Sequence, residues 1–271
     1  MQEILVHVRQ ADEQAAGVRV ALDLAERFGA RLTGLYVVPM VPAAFVAPEA
    51  VAIQGQFMAR ELDEARGRAD WWRETCARRG IDGEWQALEG DPIDVIAHCA
   101  SLADLVVMER PQSDPSAPVG FGTVTRSLFA GASPMLVVPD VCQVRTPGRR
   151  LMIAWNGARE AARAVRAALP LLQRAEAVRV LVGARRDEGL PMAPPALALR
   201  PWLERRGIAA DYVDFTPAGK VGSALLEAAS AYEADMLVMG AWGRSRLAEL
   251  ALGGTTRYLF QNSGLPLLVA H

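Results

Sequence analysis

The chain repeats itself, and the repeat limits its fold more than any other feature. Ala103-Asp104-Leu105-Val106-Val107-Met108 matches Ala234-Asp235-Met236-Leu237-Val238-Met239, an offset of 131 positions. The same offset carries Thr125-Arg126 onto Thr256-Arg257 and Leu128-Phe129 onto Leu259-Phe260. One residue later in register, Pro134-Met135-Leu136-Val137-Val138 falls on Pro266-Leu267-Leu268-Val269-Ala270. The front halves align at a larger offset, 147, with Ile4-Leu5-Val6-His7-Val8 on Leu151-Met152-Ile153-Ala154-Trp155. The first copy therefore carries about sixteen extra residues, most of them in the Ala-, Pro- and Val-rich stretch from Met40 to Gln56, which reads as a loop leading into a long helix. Thr146-Pro147-Gly148 punctuates a short junction. Two domains are expected, residues 1–141 and 149–271, each of ordinary domain size.

Each copy alternates strand and helix patterns. Glu3 to Val8 is a short apolar run suited to a buried parallel strand, and Leu32 to Val38, Glu84 to Leu88, Leu105 to Met108 and Met135 to Val138 are the further strands. Between the first two, Val18, Ala21, Leu22, Ala25 and Phe28 recur at helical spacing, and Gly29 follows as a C-cap. Met58, Leu62, Ala65, Ala69, Trp72 and Cys76 predict one longer helix, with Trp72 a packing residue. Asp91-Pro92 reads as an N-cap followed by proline at the first helical position. The second copy repeats the pattern, with strands at Leu151 to Trp155, Val178 to Val182, Asp211 to Phe215 and Met236 to Met239. Such alternation implies parallel sheets covered by helices on both faces.

Directly after the fourth strand of the second copy stand Gly240 and Gly243, then Gly253-Gly254-Thr255-Thr256-Arg257 before the last helix pattern. Open α/β sheets bind ligands at this edge, and a helix N-terminus there turns N–H donors toward an anion. The same glycines can also serve tight turns and helix packing. The GK[ST] ending of a Walker A loop is absent, and a dinucleotide fingerprint would follow the first strand instead.

With the repeat, this loop resembles the universal stress protein family in its tandem form. The family's hallmark is Gly, two residues, Gly, nine residues, Gly, then Ser or Thr; Gly240, Gly243 and Gly253 match it, and the likeness covers essentially the whole chain. It implies two open, five-stranded parallel sheets of strand order 3-2-1-4-5, an adenine nucleotide alpha hydrolase-like α/β fold, with ATP or AMP as ligand in some members. It also implies an intramolecular pseudo-dimer and leaves room for a further homodimer. Carried over by residue, the nucleotide site of the second copy comprises Asn156, Gly240, Gly243, Arg244, Gly253, Gly254, Thr255 and Thr256. Two positions depart: Asn156 stands where nucleotide-binding members usually have Asp, and Gly254 where the hydroxyl residue belongs. Arg244, Arg246 and Arg257 are candidate phosphate partners, and no metal is firmly implied.

The first copy departs further. Glu109 and Gln112 replace the first two motif glycines, Pro115 and Pro118 remove N–H donors, and Arg9 takes the place of the first-strand Asp. Gly122-Thr123 alone survives, so this site reads as degenerate.

Composition closes off several classes. A formal net charge of −2 gives no general drive toward nucleic acid. No apolar run approaches the ~20 residues that cross a bilayer, and no leader pattern precedes the first strand, so a cytoplasmic protein is expected. Cys76, Cys99 and Cys142 form no CxxC pair and read as free thiols. His7, His98 and His271 make no metal spacing, and no nucleophile is matched with a base, so no enzyme is expected. The leading expectation is a stress-response protein that binds an adenine nucleotide in its second domain and acts through conformation or an unknown protein partner. The alternative is an interaction module that kept the fold and lost the ligand, to which Glu109, Arg9, Asn156 and Gly254 point.

Overall fold

The computed structural model describes residues 1–40, 51–110, 122–184, 196–241 and 254–271. These fall into two compact units: Met1–Glu109 with Thr123–Ser133, and the remaining described residues.

In the first unit the apolar runs form β1 (Glu3–His7), β2 (Arg31–Pro39), β3 (Gly83–Gly90) and β4 (Leu105–Arg110). All pair in parallel, with β1 between β2 and β4 and β3 outside β2. Ile4, Leu5, Val6, Leu105, Val106 and Val107 are at most 2% exposed, as a strand covered on both faces requires. Helix α1 (Ala16–Phe28) buries the expected Val18, Ala21, Leu22 and Ala25, and also Val20 and Leu24, before Gly29 ends it in a left-handed cap. The single long helix expected across Met58 to Cys76 is instead two, α2 (Val51–Gly67) and α3 (Ala69–Ala77), broken at Arg68 just after a poor helix former. The break lets α3 lay Trp72, fully buried, against Trp71 and Trp85 at ring-centroid distances of 5.7 Å each. Asp91 caps α4 (Pro92–Cys99), its carboxylate accepting from the Ile93 and Asp94 N–H groups. Helix α5 (Thr123–Ala130) completes the unit.

The second unit holds β5 (Met135–Pro139), β6 (Arg150–Trp155), α6 (Arg159–Ala167), α7 (Leu169–Leu172), β7 (Ala177–Gly183), α8 (Leu199–Glu204), β8 (Asp211–Phe215), α9 (Val221–Ala231), β9 (Met236–Gly240), α10 (Gly254–Asn262) and β10 (Leu267–Ala270). Its strands run β5-β10-β9-β6-β7-β8, parallel except at β5 and β10. There the fifth strands of the two sequence copies meet antiparallel, Leu136 opposite Leu268. Counted within each copy the order is 3-2-1-4-5, as the resemblance implies.

The most visible repeated motif has a mechanical role. Asp235 accepts hydrogen bonds from the N–H groups of Gly148, Arg149 and Arg150 at 2.8, 2.8 and 2.9 Å, pinning the start of β6. Asp104 does the same for Gln2 and Glu3 at the start of β1. Both aspartates sit at the sheet edge opposite the strand ends where ligands bind in such folds.

Candidate functional site

Strand order reverses between β6 and β9: β7 lies on one side of β6, β9 on the other. Ala154 is in register with Met239, which sets the turn after β6 beside the end of β9. Asn156 begins that turn. Its side-chain carbonyl accepts from the Ala158 N–H at 3.1 Å, while Gly157 takes φ 73°, a left-handed conformation that favours glycine. Asn156 thus organises the entry to α6, and its amide group is the part left to meet a ligand.

Gly240 ends β9 with its bare backbone against the first turn of α6. A Cβ there would lie 2.4 Å from the Ala161 nitrogen and 2.6 Å from the Glu160 carbonyl carbon, so packing alone demands glycine. Further on, Ala241 donates to the Ala270 carbonyl at 2.9 Å, and its own carbonyl lies 3.3 Å from Nδ1 of His271. Arg163 donates to the His271 carbonyl, so the root of the glycine loop is tied to α6 and the end of β10.

Gly243, Arg244 and Gly253, together with Arg246, lie outside the described residues. Gly254 opens α10, exposed, with no atom of the described residues within 4 Å of where a Cβ would stand. Thr255 is half-buried and Thr256 only 4% exposed. Its counterpart in the first copy, Thr125, is also 4% exposed, so this hydroxyl is packed in both copies. Asn156 and Gly240 therefore sit at neighbouring strand ends, and Gly254 and Thr255 offer the accessible start of a helix, where an anion is favoured.

The first copy solves the same contact in reverse. Glu109 stands where Gly240 does, and the glycine has moved to the helix: a Cβ on Gly17 would come within 3.0 Å of the Glu109 Cβ. The Glu109 carboxylate accepts from the Gly17 N–H at 3.0 Å, and Arg9 lies 3.9 Å from its other oxygen. At 15% side-chain exposure this carboxylate holds the start of α1, where an anionic ligand would otherwise be drawn. Nearby, burial with help from Arg9 pushes the His7 imidazole down to about 4. Sequence reasoning named Glu109 and Arg9 but missed Gly17, because the contact joins residues 92 positions apart.

Among the described residues no group of three or more His, Cys, Asp or Glu could hold a metal ion. No described helix is long and apolar enough to cross a membrane. None of the three cysteines is in a disulfide; Cys76 and Cys142 are buried and Cys99 half-buried.

The universal stress protein family model matches residues 1–139 and 148–271. A universal stress protein from Archaeoglobus fulgidus superposes with a TM-score of 0.72 at 16% identity, covering 99% of this chain and 96% of that one. A functionally unknown protein from Pseudomonas aeruginosa superposes at 0.58 with 15% identity, covering 100% and 92%. A putative universal stress protein from the same species superposes at 0.56 with 14% identity, covering 99% and 93%. At these identities the likeness is one of fold. No curated protein matches the chain.

Proposed function

Since this chain belongs to the universal stress protein family, we propose that its second domain binds an adenine nucleotide and that its first stays empty, the protein acting in a stress response through conformation or a protein partner. The observation that carries this reading is the exchange of one residue between equivalent strand ends. Gly240 adds no side chain or charge beside Asn156 and rests its backbone on α6, whereas Glu109 brings a carboxylate, bound to α1, to the first copy's equivalent strand end. A phosphate approaching Glu109 meets like charge, while one approaching Gly254 meets an exposed helix start. In this reading Gly243, Arg244 and Gly253 complete the phosphate loop, Thr255 supplies the hydroxyl, and Asn156 meets the ribose or base through its amide. Residues 1–141 and 149–271 are the two domains.

Titration of ATP against two variants tests the assignment. Gly243→Glu is expected to abolish binding and Thr123→Ala to leave it intact; the reverse pattern would move the site to the first domain.

A second reading, a fold-retaining interaction module without ligand, has one observation in its favour. Gly240 is required by α6 packing, and the Asn156 carbonyl by its own turn, so neither residue needs a nucleotide to account for it. Under that reading, partners captured by the protein are unchanged by ATP; partners released by ATP rule it out.

A further inference from the structure

At the end of β4 opposite Glu109, two neighbouring helices leave apolar side chains in solvent. Helices α4 and α5 lie side by side there: the Ser133 hydroxyl donates to the Ala100 carbonyl at 2.6 Å, and a Cβ on Gly131 would stand 4.0 Å from the Ala97 Cα. Ala100–Leu102 extend α4 by one tight turn. Leu102, which ends that turn, is 90% exposed, more than any other large apolar residue among those described, and Phe129 on α5 is 43% exposed. Ala130 and Ala132 beside them are exposed too. All of these residues belong to the first unit.

The second copy shows that the fold does not require this surface. At the offset of the repeat, Leu102 corresponds to Glu233 and Ala130 to Gln261. Phe260, the counterpart of Phe129, is only 2% exposed. A single exposed leucine is ordinary on a folded chain. Two large apolar residues and two alanines gathered at adjoining helix ends, where the other copy is polar or buried, are a patch, and such patches mark contact surfaces.

The charges that flank the patch point to what covers it. Arg126 stands one helical turn before Phe129, exposed, and forms no ion pair among the described residues. Asp104 stands two residues beyond Leu102, exposed, its carboxyl kept below the ordinary range by the N–H groups of Gln2 and Glu3. A positive group thus lies on the helix side of the patch and a negative group on the strand side. A half-turn about the patch centre sets each Arg126 toward the Asp104 of another copy, the self-complementarity that an isologous contact requires. A rim of one sign would repel its own copy. We propose that two copies of this chain associate through the α4–α5 face of the first unit, with Leu102 and Phe129 at the centre of the contact. The inference stands apart from the nucleotide reading, since the face lies at the far end of β4 from Glu109.

Sedimentation velocity of the full chain at rising concentration, without nucleotide, tests this. The wild type is expected to pass from monomer to dimer. Leu102→Glu, which brings the second copy's residue to an exposed position, should weaken the dimer at least about tenfold, the effect of losing a central contact, and leave the thermal melt unchanged. Arg126→Glu should weaken it as well, and less so at high salt, where the new repulsion is screened. Val221→Glu, at an exposed apolar residue of the second unit, should leave it intact. A wild type that stays monomeric to about 100 μM overturns the proposal, even where Leu102 then proves to bind a different protein. A dimer that Leu102→Glu or Arg126→Glu leaves undiminished overturns it equally, because the contact then lies on another face.

Discussion

Single residues here carry distinct physical signatures. His7 is held neutral in the folded chain at a value near 4, below its ordinary 6.5. The unfolded chain therefore takes up the proton first, and stability falls as pH drops from about 6.5 to about 4. The loss is at most about 3 kcal/mol for a shift of this size. Urea unfolding at pH 7.5 and pH 5 should show that slope in the wild type and a smaller one in His7→Leu; an undiminished slope would place its source elsewhere. Glycines 240 and 254, both assigned to one loop from the sequence, separate just as clearly. Gly240→Ala drives a methyl into the α6 backbone and should cost about 3 kcal/mol, whereas Gly254→Ala meets no atom of the described residues and should change stability by less than about 0.5 kcal/mol. Thermal melts without ligand decide it, and equal effects would contradict the packing role. That difference was not legible in the sequence, because glycine spacing records where a side chain is missing and not which neighbour excludes it.

At the scale of elements, the repeated Ala-Asp pair before β4 and β9 fastens each sheet's central strand. Asp235 receives three backbone N–H groups from residues 148–150, against two for Asp104, which is also the more exposed. Asp235→Ala should lower stability by about 2 kcal/mol, and Asp104→Ala by less, in urea titrations near neutral pH. A larger loss at Asp104 would contradict this ranking. Backbone hydrogen bonds, that from Gln2 foremost, hold the Asp104 carboxyl below its ordinary range, so its contribution persists above that range and fades as acid protonates it. The aspartates were visible as a repeat, but their role was not, since the N–H groups they hold lie 85 to 102 positions away. Strand and helix types followed from local pattern. The break at Arg68 did not, because the apolar spacing runs through it and Gly67 alone is a weak local signal against that spacing.

For the whole molecule, two copies of one α/β pattern were legible because the inner strands β1, β4, β6 and β9 are short, largely buried apolar runs and each run recurs. The antiparallel meeting of β5 and β10 was not, since nothing in either run records which way its neighbour points. The candidate site was legible in outline: Asn156 and Gly240 do come together at neighbouring strand ends. The reciprocal placement of Gly17 and Glu109, and the exposed apolar face at Leu102 and Phe129, needed the tertiary structure. The central claim is that the two copies have diverged at one strand-end position, the second leaving it uncharged for a nucleotide to approach and the first placing its own carboxylate there. Isothermal calorimetry of the intact chain with ATP, ADP and AMP measures this most directly. One nucleotide bound per chain is the predicted result; two per chain, or no heat from a chain shown to be folded, would contradict it.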